Sequence, residues 1–192
     1  MTRTVYAIRH AKTISPKGVL YGATDYDVDL SDRKRIEELA LELPHSAIWH
    51  SSPMLRARRT LGAVANASSF DFGQVKISKL LSEQSYGDLE GLSMKSVFER
   101  YPESSRFGKV IDNHDFKPPG GESYSQLIKR VESWIEQNCQ SPQAEHVVFC
   151  HRGIIQAFQI IVGANSGVEL WHSSIPHLSC HKIQLGGASE NG

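Results

Sequence analysis

The sequence predicts an α/β protein, a three-layer α/β/α sandwich around a mainly parallel central sheet. Three observations predict it. Short apolar runs alternate with segments of helical periodicity along most of the 192 residues. Two of those runs, Val5–Ile8 and Val147–Cys150, lead into a histidine followed by a turn. No repeat, linker or shift in composition divides the chain, so residues 1–192 read as one domain with room for a sizeable core.

The elements follow in order. The first strand runs through Val5–Ile8 into the pair Arg9-His10. Ser31 is the expected N-cap of the first helix, with Ile36, Leu39, Ala40 and Leu43 at helical spacing and Pro44 as its stop. Ala47–His50 fits a strand, and Ser51-Ser52-Pro53 opens a helix with proline near its first turn and Leu61, Val64 and Ala65 on one face. Val75–Ser78 is a further strand. The loop Ser82–Gly91 is rich in Gly, Asp and Glu, and a short helix is expected over Ser93–Tyr101. Pro102–Gly121 is polar and reads as a loop or part of a small lid. Ser123 and Gln126 suit a capping box, with Leu127, Val131, Trp134 and Ile135 as the apolar stripe beyond. After the strand ending at His151, Ile154–Val162 is apolar nearly all round and should be buried. A last strand around Leu178–Leu185 precedes a polar tail.

Composition narrows the function. With 21 basic and 21 acidic residues the formal net charge is zero, so the overall field attracts neither nucleic acid nor an acidic membrane. The N-terminus lacks a signal-peptide apolar region, and no apolar stretch reaches the length of a membrane span. Cys139, Cys150 and Cys180 are widely spaced without a C-x-x-C, as free thiols in a reducing compartment would be. A cytoplasmic protein is expected.

Both histidines fall where α/β sheets bind ligands, at the carboxyl ends of strands. A histidine that attacks phosphorus must be neutral, with one nitrogen free and the other held as a donor. Arg9 beside His10 serves this twice, because a guanidinium clamps phosphate oxygens and its charge opposes protonation of the imidazole. In Ser52–Thr60, Arg56 lies in the first turn of its helix, where backbone N–H groups also attract anions, whereas Arg58 and Arg59 suit a solvated face. The leaving oxygen needs a proton. Glu83, Asp88 and Glu90 are all placed to supply it, and spacing does not choose among them. A dianionic phosphate facing the acid would raise its pKa toward the working range. His151 is suited to donate to a non-bridging oxygen as charge spreads in the transition state.

Taken in order, these segments resemble the histidine phosphatase superfamily, also called phosphoglycerate mutase-like. Arg9-His10 matches its Arg-His-Gly motif, and Ser52–Thr60 its S-P-L-x-R-A-x-x-T helix. Glu83–Gly91 matches the E-x-x-x-G-x-x-E-G loop, Gly121-Glu122-Ser123 the G-E-S turn, and His151 the late H-G-G. The resemblance implies His10 as nucleophile, Glu83 as general acid, and Arg9, Arg56 and His151 as phosphoryl ligands. It implies neither metal nor cofactor, and a small phosphorylated substrate as the partner. Oligomeric state stays open, with a homodimer compatible. The short stretch before the G-E-S turn gives less of a lid than mutases carry, which favours hydrolysis over phosphoryl return.

Gly18–Asp25 is similar to the Y-G-x-T-D motif of the α-ribazole-5′-phosphate phosphatase branch, of cobalamin biosynthesis. The similarity implies Tyr21, Gly22 and Thr24 as substrate contacts, and Trp171-His172 is a second likeness to that branch. Broad-specificity sugar or small-molecule phosphatases, phosphoglycerate mutases and silent phospho-ligand binders are the alternatives. The chain departs from the family at Ala11, Lys12, Pro16, Arg152 and Gln156, which bears on phosphate affinity. A separate reading takes His172, His177, Cys180 and His181 as zinc ligands. Strand alternation, which puts Cys180 and His181 on opposite faces, opposes it.

Overall fold

The computed structural model describes residues 3–68, 70–71, 74–100, 116–141, 143–164 and 174–186. Most of the expected lid and the Trp171-His172 pair lie outside the described residues. In chain order the elements are β1 (Arg3–Arg9), α1 (Arg33–Glu42), β2 (Ile48–Ser51), α2 (Leu55–Ser68), β3 (Lys76–Ile77), α3 (Met94–Arg100), α4 (Tyr124–Asn138), β4 (Glu145–Cys150), α5 (Arg152–Ile161) and β5 (Cys180–Leu185). The strands form one sheet in the order β3-β2-β4-β1-β5. β1, β4, β2 and β3 run parallel, and only β5 runs antiparallel, on the edge beside β1.

Both faces of the central strands are largely apolar, as a sheet covered by helices on both sides requires, with His50 and His146 buried on one of them. On one face Val5, Ala7, Val148 and Cys150 pack with Leu127, Val131 and Trp134 of α4 and Ile154 and Phe158 of α5. On the other, Ile8, Trp49, Val147 and Phe149 meet Ile36 and Leu39 of α1 and Leu61 and Val64 of α2. Trp49 stacks on Phe70 with ring centroids 4.1 Å apart. The buried Ile154, Ile155, Ala157 and Phe158 face inward from α5, while Ile160 and Ile161 are only half-buried. Among the described residues no helix is long and apolar enough to cross a membrane.

Local signals shift some boundaries. The N-cap of α1 is Asp32, not Ser31, its carboxylate accepting from Arg35 N at 3.2 Å. Both are good caps, and the carboxylate wins. β2 ends at Ser51 rather than His50, and α2 begins at Leu55, so Pro53 precedes the helix instead of opening it. The Ser123–Gln126 capping box forms with both reciprocal bonds, at 2.9 and 3.2 Å. The register sets up the site. Arg9 pairs with Cys150 across adjacent parallel strands, and His10 N donates to Cys150 O at 3.1 Å. The next residues, His10 and His151, therefore emerge side by side at the carboxyl ends of β1 and β4.

Candidate active site

The two histidine rings lie 5.2 Å apart, centroid to centroid. His10 is buried, and its Nδ1 sits 2.7 Å from the Ala11 carbonyl, which can only accept. Nδ1 therefore carries the proton and Nε2 keeps its lone pair. Burial pushes the His10 pKa down to about 3, against the Ala11 bond, and the charges of Arg56 and Arg9 lower it further. The turn after His10 is held by Thr60, whose hydroxyl accepts from Ala11 N at 2.9 Å and donates to Arg56 O at 2.7 Å. Ala11 is fully buried in the core and is not among the residues with positive φ, so this turn has no need of the family's glycine.

Arg56 is fully buried, and its guanidinium is held from three sides. Nη2 donates to Gly22 O, and Nη1 to Thr24 O at 2.9 Å and to Asp25 Oδ1 at 3.2 Å. Nε donates to His151 Nδ1 at 3.2 Å. With Nδ1 accepting, the His151 proton is on Nε2, which faces Ser52 Oγ at 2.8 Å. Both ring nitrogens of His151 are thus engaged by protein groups. The expected donor to a phosphoryl oxygen is present, but it rests on Ser52.

The Gly22–Asp25 segment thus cradles Arg56. Asp25 Oδ2 also takes Leu55 N, capping the first turn of α2 from a remote loop. Tyr21 places its ring 5.6 Å from the Arg56 guanidinium carbon, and its hydroxyl lies 2.7 Å from Thr13 Oγ1. Glu90 clamps the same segment to the acidic loop, accepting from Ala23 N, Tyr86 N and both the amide and hydroxyl of Thr24. Burial would raise its pKa, but these bonds outweigh it and hold the carboxylate below the ordinary range.

Glu83 lies against the N-terminus of α5, accepting from its neighbour Gln84 N at 2.9 Å and from Gly153 N at 3.2 Å. A Cβ at position 153 would overlap Glu83 Oε1, so any side chain there would have to displace the Glu83 carboxylate. The loop carrying Glu83 is fixed from the far side by Glu122. Ser85 N donates to Glu122 Oε1 at 3.1 Å, and Arg130 pairs with both oxygens of that carboxylate at 2.7 and 3.0 Å. The Gly121-Glu122-Ser123 turn is therefore a brace for the acidic loop as well as a helix entry. Of the competing acids, Asp88 is exposed, and Glu90 is spent on the Ala23–Thr24 clamp.

His177 also belongs to this neighbourhood, a place that its sequence context does not disclose. Its ring centroid is 5.6 Å from that of His10. The strap carrying it is tied to Arg9, whose Nη1 donates to Ile175 O and whose carbonyl accepts from Leu178 N at 3.1 Å. Leu178 holds φ +59°, a left-handed conformation uncommon for a non-glycine residue. Of the zinc set considered from sequence, His172 lies outside the described residues. His181 Nε2 is 2.9 Å from Ser179 Oγ, and His177 turns toward His10 instead.

Sheet and site together define a phosphoryl-handling α/β fold, with two histidines at adjacent strand ends and cationic side chains around them. The histidine phosphatase superfamily (branch 1) model matches residues 5–190, and the chain belongs to that superfamily. It is 30% identical over 133 residues to phosphoserine phosphatase 1 of Hydrogenobacter thermophilus (strain DSM 6534 / IAM 12695 / TK-6), covering 68% of this chain and 61% of that enzyme. With the metal-independent phosphoserine phosphatase of Arabidopsis thaliana it shares 27% identity over 177 residues, 89% of this chain and 74% of that enzyme. Among solved structures, TTHB049 from Thermus thermophilus superposes with a TM-score of 0.69 at 29% identity, covering 94% of this chain and 92% of its own. These similarities support phosphomonoester hydrolase activity of the histidine-phosphatase type.

Proposed function

We propose that this protein hydrolyses a small phosphomonoester through a phosphohistidine, without a metal ion. One observation carries the reading. His10 is a neutral imidazole whose proton is fixed on Nδ1 by the Ala11 carbonyl, leaving Nε2 as the nucleophile in the field of Arg9 and Arg56. Attack by Nε2 on phosphorus forms the N–P bond as the P–O bond to the leaving alcohol breaks. Protonated Glu83 gives that oxygen its proton. In the second half-reaction Glu83, now a carboxylate, takes a proton from water as the water oxygen attacks phosphorus. The N–P bond breaks, and phosphate and neutral His10 are released. Arg9 and Arg56 offset the charge on the phosphoryl oxygens. The Nε2–H of His151 exchanges Ser52 Oγ for a phosphoryl oxygen.

For the substrate, the phosphoserine phosphatases among the relatives favour a small metabolite bearing a carboxylate. Similarity over Gly18–Asp25 favours α-ribazole 5′-phosphate of the cobalamin pathway. Within this fold, however, Gly22 and Thr24 serve Arg56 and Glu90, a service independent of the leaving group. We therefore rank phosphoserine first. Phosphate release from both compounds and from an aryl phosphate, by the intact protein and by His10→Ala, tests the reading. The expected result is turnover that falls by roughly 10³-fold or more in the variant. Release that survives His10→Ala overturns the phosphohistidine mechanism, and release from α-ribazole 5′-phosphate alone reverses the ranking.

A further inference from the structure

We propose that His177 is a third histidine of the phosphoryl site, binding the transferring group directly from the side of His10 opposite the Arg56 cradle. The inference rests on the phosphatase reading and adds a residue to it. His177 and His151 flank the same nucleophile at nearly equal range, with centroids 5.6 and 5.2 Å from His10. Their situations differ. His151 has both ring nitrogens committed, to Arg56 and to Ser52. Among the described residues His177 Nε2 is buried with no hydrogen-bond partner, and so is Nε of Arg9, the arginine to which the His177 strap is tied. Buried polar nitrogens are ordinarily paired. Two orphans on neighbouring groups, both next to the nucleophile, are what an anion seated on His10 would satisfy.

The surroundings fit a neutral donor. Burial, followed by the charges of Arg9 and Lys12, lowers the His177 pKa to about 4. At neutral pH its imidazole keeps one N–H to give a phosphoryl oxygen without adding a charge that would compete with the guanidiniums. The backbone is arranged to deliver it. Leu178 N bonds to Arg9 O, Arg9 N bonds to Ser179 O at 3.1 Å, and Leu178 takes up the left-handed turn between them. The segment leading into the antiparallel edge strand β5 thus brings a side chain to the end of β1 on the side away from β4.

The test compares intact protein with His177→Ala and His177→Asn. Inhibition constants for inorganic phosphate and for orthovanadate, kcat and KM on an aryl phosphate, and the melting temperature are measured for each. Removing one hydrogen bond to an anion is expected to weaken vanadate binding and lower kcat/KM by about tenfold in His177→Ala. Asparagine, which retains a donor, should recover most of the loss, with melting temperatures alike. Unchanged vanadate binding and kcat/KM in His177→Ala overturn the proposal. So does equal impairment of both variants in step with a lower melting temperature, which would assign His177 to packing. Intact protein that binds vanadate yet releases no phosphate from any ester would instead sink the phosphatase reading and leave the His177 comparison standing on the binding data.

Discussion

Single atoms decide how this site is held. Gly153 is the clearest case, because a methyl group there would overlap the carboxylate it supports. Gly153→Ala should fold, since position 153 is not fully buried, but it must push Glu83 off the start of α5. A displacement of this kind costs on the order of 100-fold in rate. Steady-state kinetics should show kcat reduced with little change in KM, because the phosphate ligands are untouched. A Glu83→Gln protein that keeps the natural kcat would contradict the acid role given to Glu83. Asp25 offers a second test. It neutralises part of the charge on a fully buried guanidinium and caps α2 at Leu55 N. Asp25→Ala should lower stability by about 0.5–2 kcal/mol through the lost cap. It should also raise KM by loosening Arg56, and Asp25→Asn should recover the cap more fully than the KM. Chemical denaturation and kinetics on the two variants separate these effects.

At the scale of elements, the site is an agreement between two loops and one edge strand, and this sets what the sequence discloses. His10, Arg56 and His151 are legible because each closes a strand or opens a helix whose periodicity is local. The capping box at Ser123 and Gln126 is legible for the same reason. The antiparallel run of β5 is not, since pairing direction is a long-range property, and the place of His177 beside His10 depends on it. Nor is the service of Gly22 and Thr24 legible. Their carbonyls, not their side chains, meet Arg56, and no motif encodes where a loop's carbonyls point. Glu122 shows the same limit, for it reads as a helix entry and also braces the acidic loop through Arg130. If that brace positions Glu83, Glu122→Gln should lower kcat several-fold while leaving vanadate binding intact. Circular dichroism should show helix content retained. A Glu122→Gln protein with unchanged kcat would reduce the turn to its capping role.

At the scale of the whole molecule, the buried histidines couple the fold to pH. His50 on β2 and His146 on β4 are both fully buried on the α4 side of the sheet, with His50 Nε2 3.1 Å from His146 Nδ1. Trp134 of α4 meets His50 edge-on, at 4.9 Å between centroids. Among the described residues the outer nitrogens, His50 Nδ1 and His146 Nε2, have no hydrogen-bond partner. Burial, then His146 and Lys76, pushes the His50 pKa down to about 3, and burial, then Lys76 and Arg3, lowers that of His146. The folded state therefore binds protons at these sites more weakly than the unfolded chain, whose histidines titrate near about 6.5. Their contribution is intact above about pH 6.5. It is lost as pH falls below that value, by up to about 1.4 kcal/mol per unit per site, until the folded pKa is reached. Replacing one member strands the other's nitrogen and should destabilise by about 1–3 kcal/mol at neutral pH, whereas replacing both with leucine removes the polar groups together and should cost less. The double variant should also resist acid better. Between about pH 7.5 and 5, urea unfolding of the natural protein should lose about 2–4 kcal/mol more than that of the double variant. Equal losses would move the acid sensitivity elsewhere, to His10, His151 and His177. The proposed chemistry uses those imidazoles in their neutral form, so removing their acid sensitivity should also remove phosphate release.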